Sequence, residues 1–235
     1  MKSKTLKFSL IALAVISMVA CGQKPTNPLE EYSKPNSENI LPNYLFIENS
    51  DCETVRIYTI ETNDAAIHYN KVNYLHLVQF RHQEEVFIKE LPDFANSNFF
   101  VDKIYSIEGE TQTFYLVRFT MGIFAQGSHY WQVIKAYEID NNGNFSSKKL
   151  FKTKKENLDE IEISWSYGNI DEDSIESNKN IVLRKEGKGD EIIYCDTSKT
   201  LYIPLIVEVS GGNAMTDKNL VYQWKGDDFE YIGIR

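Results

Sequence analysis

From residue 44 to the C-terminus, short apolar runs alternate with turn-forming clusters about every ten residues. Short runs of this kind, rich in β-branched and aromatic residues, mark antiparallel strands joined by tight turns. The pattern predicts strands over Tyr44–Glu48, Thr54–Ile60, Tyr74–Phe80, Val86–Lys89, Lys103–Ile107, Phe114–Thr120, Trp131–Ile139, Ile161–Tyr167, Ile181–Arg184, Ile192–Cys195, Leu201–Val209, Leu220–Trp224 and Phe229–Ile232. No stretch keeps a helical period for three turns; Asp64–Lys71 alone predicts a short helix. The expected class is therefore all-β, with antiparallel meanders forming a sandwich or propeller-like sheets.

Within this pattern lies a weak internal echo. Asp102-Lys103-Ile104-Tyr105 is matched by Glu191-Ile192-Ile193-Tyr194, and Thr113-Phe114-Tyr115-Leu116 by Thr200-Leu201-Tyr202-Ile203. Tyr137 then matches Tyr222, and Phe145 matches Phe229, each phenylalanine just past a glycine-containing turn. Units 102–151 and 190–234 are each the size of one four-stranded meander, and residues 44–91 are a candidate third. A propeller needs about four such units, so a sandwich or a packed pair of curled sheets is expected.

The start of the chain follows a different pattern. Lys2, Lys4 and Lys7 precede an uncharged stretch from Phe8 to Ala20. As a helix it would reach roughly 20 Å, short of the roughly 30 Å hydrocarbon core of a bilayer. A basic start and a short apolar stretch ending in small residues form a secretory signal, not a permanent span. Residues 22–43 hold Pro25, Pro28, Pro35 and Pro42, four of the chain's six prolines, with polar residues between. That composition describes an extended tether.

The junction of these two segments, Met18-Val19-Ala20-Cys21, resembles the lipobox of bacterial lipoproteins. In that class two apolar or small residues and a small residue precede an invariant cysteine; Leu is the commonest first residue, where this chain has Met18. The resemblance covers residues 1–21. It implies that Cys21 receives diacylglycerol through a thioether, that signal peptidase II removes residues 1–20, and that the new amine is acylated, palmitate being a typical chain. Two or three acyl chains hold a protein stably at a bilayer, whereas one does so only marginally. Gly22 stands where the resemblance places an Asp in inner-membrane lipoproteins. The implied location is a bacterial membrane, the outer one where the host has it, with the domain facing the periplasm or the cell surface.

The formal charge is −9, and beyond residue 20 there are 22 basic against 34 acidic side chains, hence −12. A body this acidic repels phosphate backbones, which excludes nucleic acid as a partner. The one basic run, Lys148-Lys149 to Lys154-Lys155, reads as a solvated strand edge.

No catalytic motif emerges. Gly-x-Ser-x-Gly and glycine-rich phosphate loops are both missing from the sequence, so no cofactor is implied. His68, His76, His82 and His129 are not spaced to converge on a metal ion, and Asp140-Asn141-Asn142-Gly143-Asn144 has the glycine in the wrong place for a calcium loop. Asn142-Gly143 between apolar runs predicts a hairpin turn. Asp171-Glu172-Asp173 reads as a solvated loop. Cys52 and Cys195 are a candidate disulfide in an oxidising space, the alternative being two separate thiols. The longest predicted loops of the two echo units, Met121–His129 and Ser210–Asp217, are the candidate binding loops, with apolar Ile123 and Phe124 in one and Gly211 and Gly212 in the other. Trp131, Trp165 and Trp224 are read as core residues before sugar-stacking platforms.

Three functions fit these features. The first is a lipid-anchored, non-enzymatic binding module for a glycan, peptide or envelope protein. The second is a lipid-anchored hydrolase acting on an envelope glycan or polymer. The third is a structural accessory subunit of an outer-membrane complex.

Overall fold

The computed structural model describes residues 55–62, 73–83, 85–94, 96–124, 128–167, 182–184, 189–209 and 212–235. The lipobox segment, the tether, the Tyr44–Glu48 strand, the Asp64–Lys71 helix, Cys52, His68, Gly211 and Asp171–Asp173 lie outside them. The described residues are all-β, in three stacked sheets, with no helix.

Sheet A joins β1 (Val55–Thr62), β2 (Asn73–His82) and β3 (Glu85–Glu90) as a meander, and the two-residue β4 (Asn96–Ser97) adds to β2. Sheet B runs β5 (Phe100–Glu108), β6 (Thr113–Phe124) and β7 (Ser128–Ile139). Along its far edge β7 pairs first with β11 (Glu160–Tyr167), then with β8 (Phe145–Ser147). Sheet C contains β12 (Ile193–Cys195), β13 (Thr200–Val209), β14 (Gly212–Trp224) and β15 (Phe229–Ile234), extended by the two-residue β9 (Phe151–Lys152) and β10 (Asn157–Leu158). The order of sheet C is β10-β9-β15-β14-β13-β12, with β9 and β15 parallel.

Sheet B is the middle layer, and its sequence explains why. Alternate residues of a strand face opposite sides. From β6, Tyr115, Val117 and Phe119 pack with Val55, Val78 and Phe80 of sheet A. The intervening Phe114 and Leu116 pack with Leu201, Ile203 and Phe229 of sheet C. In β7, Val133 and Tyr137 take the first side and Ile134 and Ala136 the second. A strand buried on both faces reads as a continuous apolar run, which is how β6 and β7 appear in the sequence. The polar residues within those runs, Arg118, Gln132 and Lys135, are themselves buried.

Both echo segments fold as four successive antiparallel strands, β5–β8 and β12–β15. One matched pair is out by a residue. Tyr115 stands opposite Tyr137, but Tyr202 stands opposite Val221, not Tyr222. The β13–β14 register runs unbroken from Thr200 to Pro204, so the offset lies in the match between the two segments.

The expected Ile181–Arg184 strand reduces to one bridge, Leu183 to Thr216, among its described residues. The loops expected at Met121–His129 and Ser210–Asp217 are instead largely strand. Ile123 and Phe124 belong to β6 and pair with His129 and Ser128, while Gly212 opens β14 opposite Val209. Apolar residues at a hairpin tip extend the ladder where the backbone bonds can continue, so the connections are shorter than expected.

Candidate functional site

Two sheet edges lie side by side. β5 ends sheet B and β12 ends sheet C, each paired on one side only among the described strands. Between them is a hollow of about 600 Å³. Lys103, Tyr105, Ser106 and Glu108 of β5 form one wall; Ile193 and Tyr194 of β12, with Asp196 and Lys199 of the following turn, form the other.

A polar clamp joins the two walls. Arg118, 6 % exposed, points from β6 towards sheet C. Its Nε donates to Asp102 Oδ1 at 2.8 Å and its Nη1 to Ile192 O at 2.7 Å, with Glu191 Oε2 at 3.0 Å. Thr120 Oγ1 donates to the second Asp102 oxygen at 2.7 Å. Gln132 Oε1 accepts the Ile192 N–H at 2.9 Å. Side chains of the middle sheet thus satisfy both backbone groups of Ile192, and this holds the start of β12 against β5. Burial lowers the Arg118 pKa, but the hydrogen bond and charge of Asp102 outweigh it and the net shift is upward.

Above the clamp the Tyr105 and Tyr194 rings meet edge to face at 5.6 Å, and Lys103 Nζ lies 5.8 Å from the Tyr105 ring centre. Burial raises the pKa of both phenols, that of Tyr194 to about 12. At the far end Lys199 pairs with Asp196 at 2.6 Å, both exposed to solvent, and Trp224 Nε1 donates to Glu108 O at 3.1 Å. The hollow therefore combines aromatic surface, both signs of charge and strand backbone.

Cys195 carries an unbridged thiol. The Ser198 hydroxyl and N–H hold its pKa below the ordinary range. Its proposed partner Cys52 lies outside the described residues. The β6–β7 and β13–β14 hairpin tips come to the same end of the stack. Ser166 of β11 pairs with His129, and a Cβ on Gly212 would sit 3.0 Å from Ser166 Oγ. Trp165 and Trp224 are core residues, whereas Trp131 is half-buried beside His129.

The remaining candidates are structural. His76 is fully buried on β2, with Nδ1 3.0 Å from Thr59 Oγ1 and Nε2 2.8 Å from Phe99 O. Burial lowers its pKa to about 4, which keeps the ring neutral. His82 abuts Gly143, and no three His, Cys, Asp or Glu among the described residues are placed to hold a metal ion. The Asp140–Asn144 segment is a turn, as expected. Asp140 Oδ1 accepts from Asn142 N and Asn144 N at 2.9 and 2.8 Å, and Gly143 takes a φ of 71°. In the basic run, Lys148 pairs with Glu138 and Lys152 with Glu230.

Sequence reasoning did not single out the groove. The echo matched Tyr105 with Tyr194, and the structure brings those two residues into contact across it. No family model, curated protein or solved structure matches this chain.

Proposed function

We propose that the chain is a lipid-anchored, non-enzymatic binding module of the cell envelope, with the groove between β5 and β12 as its binding site. The groove carries the reading. It is lined by aromatic, charged and backbone groups, as binding sites are, while the buried Arg118, Lys135 and His76 are occupied holding layers together. Lys135 is the clearest case: its ammonium bonds Asp93, Asp159 and Glu160 at 3.2, 2.9 and 2.9 Å. The lipobox-like sequence ending at Cys21 supports the anchor.

Two measurements test this. Replacing Cys21 by Ser should move the protein from the membrane to the soluble fraction and abolish labelling by radioactive palmitate. A photo-crosslinking residue at Lys103 should capture the same species from intact cells reproducibly, whereas one at exposed Glu162 on β11 should not. Equal capture from both positions removes the groove from consideration.

One observation favours the hydrolase reading: Glu108 and Asp196 bring a carboxylate to each wall of the groove, as polymer hydrolysis by paired acids requires. Loss of envelope-glycan hydrolysis in both Glu108→Gln and Asp196→Asn would establish it in place of the first.

A further inference from the structure

We infer that the groove receives an extended polypeptide segment, which adds as a strand to the open edge of β5. This rests on the binding-module reading and names the class of partner.

The lining residues show which surface of the strands the hollow follows. Tyr105 and Ser106 are neighbours with side chains on opposite faces of sheet B, as Ile193 and Tyr194 are on sheet C. A hollow over one face would touch every second residue. Contact with both parities means it runs along the strand edges, where the backbone is presented.

The hairpin geometry shows which backbone groups those are. Gly109 N–H donates to Gln112 O at 2.9 Å and closes the β5–β6 turn. Paired residues of an antiparallel ladder alternate between bonded and non-bonded. Counting back through the register from that bonded pair, Ile107 with Phe114 and Tyr105 with Leu116 are bonded, and Glu108, Ser106 and Ile104 turn their N–H and C=O outward. Glu108 O agrees, since it accepts from Trp224 Nε1. Ser106 therefore offers a donor and an acceptor to the groove.

Edge strands are commonly blunted by proline or a bulge. The bulge of β5 lies at its start, between Val101 and Lys103, and the register from Lys103 to Glu108 is unbroken. With Glu108 O taken by Trp224 Nε1, the N–H and C=O of Ser106 are the outward pair presented to the groove, and one residue of an extended peptide completes such a pair. A sugar chain has no main-chain amides to continue the ladder.

The test uses the full chain in detergent, panned against a displayed library of random dodecapeptides and, separately, against a panel of envelope oligosaccharides. Enriched peptides should bind Ser106→Ala within twofold of wild type, because the backbone N–H survives. Ser106→Pro removes that N–H without removing a bond to β6, a place where strands tolerate proline, and should weaken binding at least tenfold. Where Ser106→Pro fails to fold, by loss of its cooperative melt, the peptides decide the matter with wild-type protein. N-methylation of one alternate set of amides should abolish binding, and methylation of the other set should leave it. Equal binding by both methylated sets, or by Ser106→Pro, overturns strand addition, and so does failure to enrich any peptide. Oligosaccharide binding that falls in Ser106→Ala overturns it while leaving the binding module standing. Binding of neither class, with no capture from Lys103, removes both.

Discussion

The middle sheet meets its two neighbours by different physics. Against sheet A the interface has an apolar, aromatic centre, where Phe119 stacks on Phe94 with centroids 4.0 Å apart and meets the His76 ring at 6.0 Å, and its buried cation, Lys135, bonds carboxylate side chains, Asp93 among them. The buried His76 imidazole inside that layer is kept neutral. Against sheet C the interface also has an apolar centre, but its rim carries the Arg118 clamp, a charged group bonded to a carboxylate and to the backbone of Ile192. Two polar atoms of this second layer, Trp165 Nε1 and Tyr194 Oη, are buried without a hydrogen-bond partner. The first interface ties its buried cation to side chains. The second ties its cation to the Ile192 backbone, which holds β12 at a fixed place beside β5, where the groove is.

The largest expected effects separate the two directly. Phe119→Ala should destabilise the protein by about 3–5 kcal/mol through the cavity it leaves. Arg118→Ala should cost a similar amount, about 3–5 kcal/mol, because Asp102 and the Ile192 carbonyl lose their partner in a buried place. Urea denaturation measures both. The distinction lies in the second substitution. Adding Asp102→Ala to Arg118→Ala should recover part of the loss, since the stranded carboxylate is gone, whereas no neighbour of Phe119 offers such a rescue. Strict additivity of the Arg118 and Asp102 losses would show that they do not act as a pair.

A pH effect of about 2 kcal/mol belongs to the sheet A side. The folded His76 has a pKa near 4 and the unfolded ring one of 6.5. Below pH 6.5 the unfolded chain takes up a proton that the folded chain refuses. The stability from the neutral ring is therefore complete above that pH and is lost as pH falls towards 4. Between pH 8 and pH 5 the loss is about 2 kcal/mol, and most carboxylates have not yet titrated. His76→Gln should flatten the urea midpoint over that range; an unchanged slope would mean the ring is not the responsible group.

On the sheet C side a smaller gain is expected. Tyr194→Phe deletes a hydroxyl that is buried without a partner and leaves the ring on Tyr105 and Phe229. Removing an unsatisfied group stabilises by about 1 kcal/mol, read as a raised melting temperature. A lowered one would show that the hydroxyl is bonded after all.

The unequal legibility of these features has physical causes. Long strands such as β6 and β7 announce themselves through period and apolar content, and every predicted strand within residues 100–167 was found. β4, β8, β9 and β10 are two or three residues long, too short to show an alternation. The stacking order was not readable, because β6 is apolar on both faces and does not say which face meets which sheet. The groove was hidden for a related reason. Lys103, Ser106 and Asp196 look like ordinary surface residues, and only the ends of the sheet orders show that β5 and β12 are edges. Ile123, Phe124 and Gly212 have the composition of loop residues, and hydrogen-bond continuity draws them into strands.

The smallest expected effect probes the clamp's outer arm. Glu191 bonds the same Arg118 Nη1 that holds the Ile192 carbonyl, but its side chain is 52 % exposed, against 18 % for Asp102. Water screens the Glu191 arm, so Glu191→Gln should cost no more than about 0.5 kcal/mol. Asp102→Asn, which disturbs the sheltered arm, should cost several times as much. If Glu191→Gln equals Asp102→Asn, the outer arm and not the buried one positions β12, and the groove's wall is set from its solvent side. The ratio of the two losses, more than either value, tells which arm holds the strand.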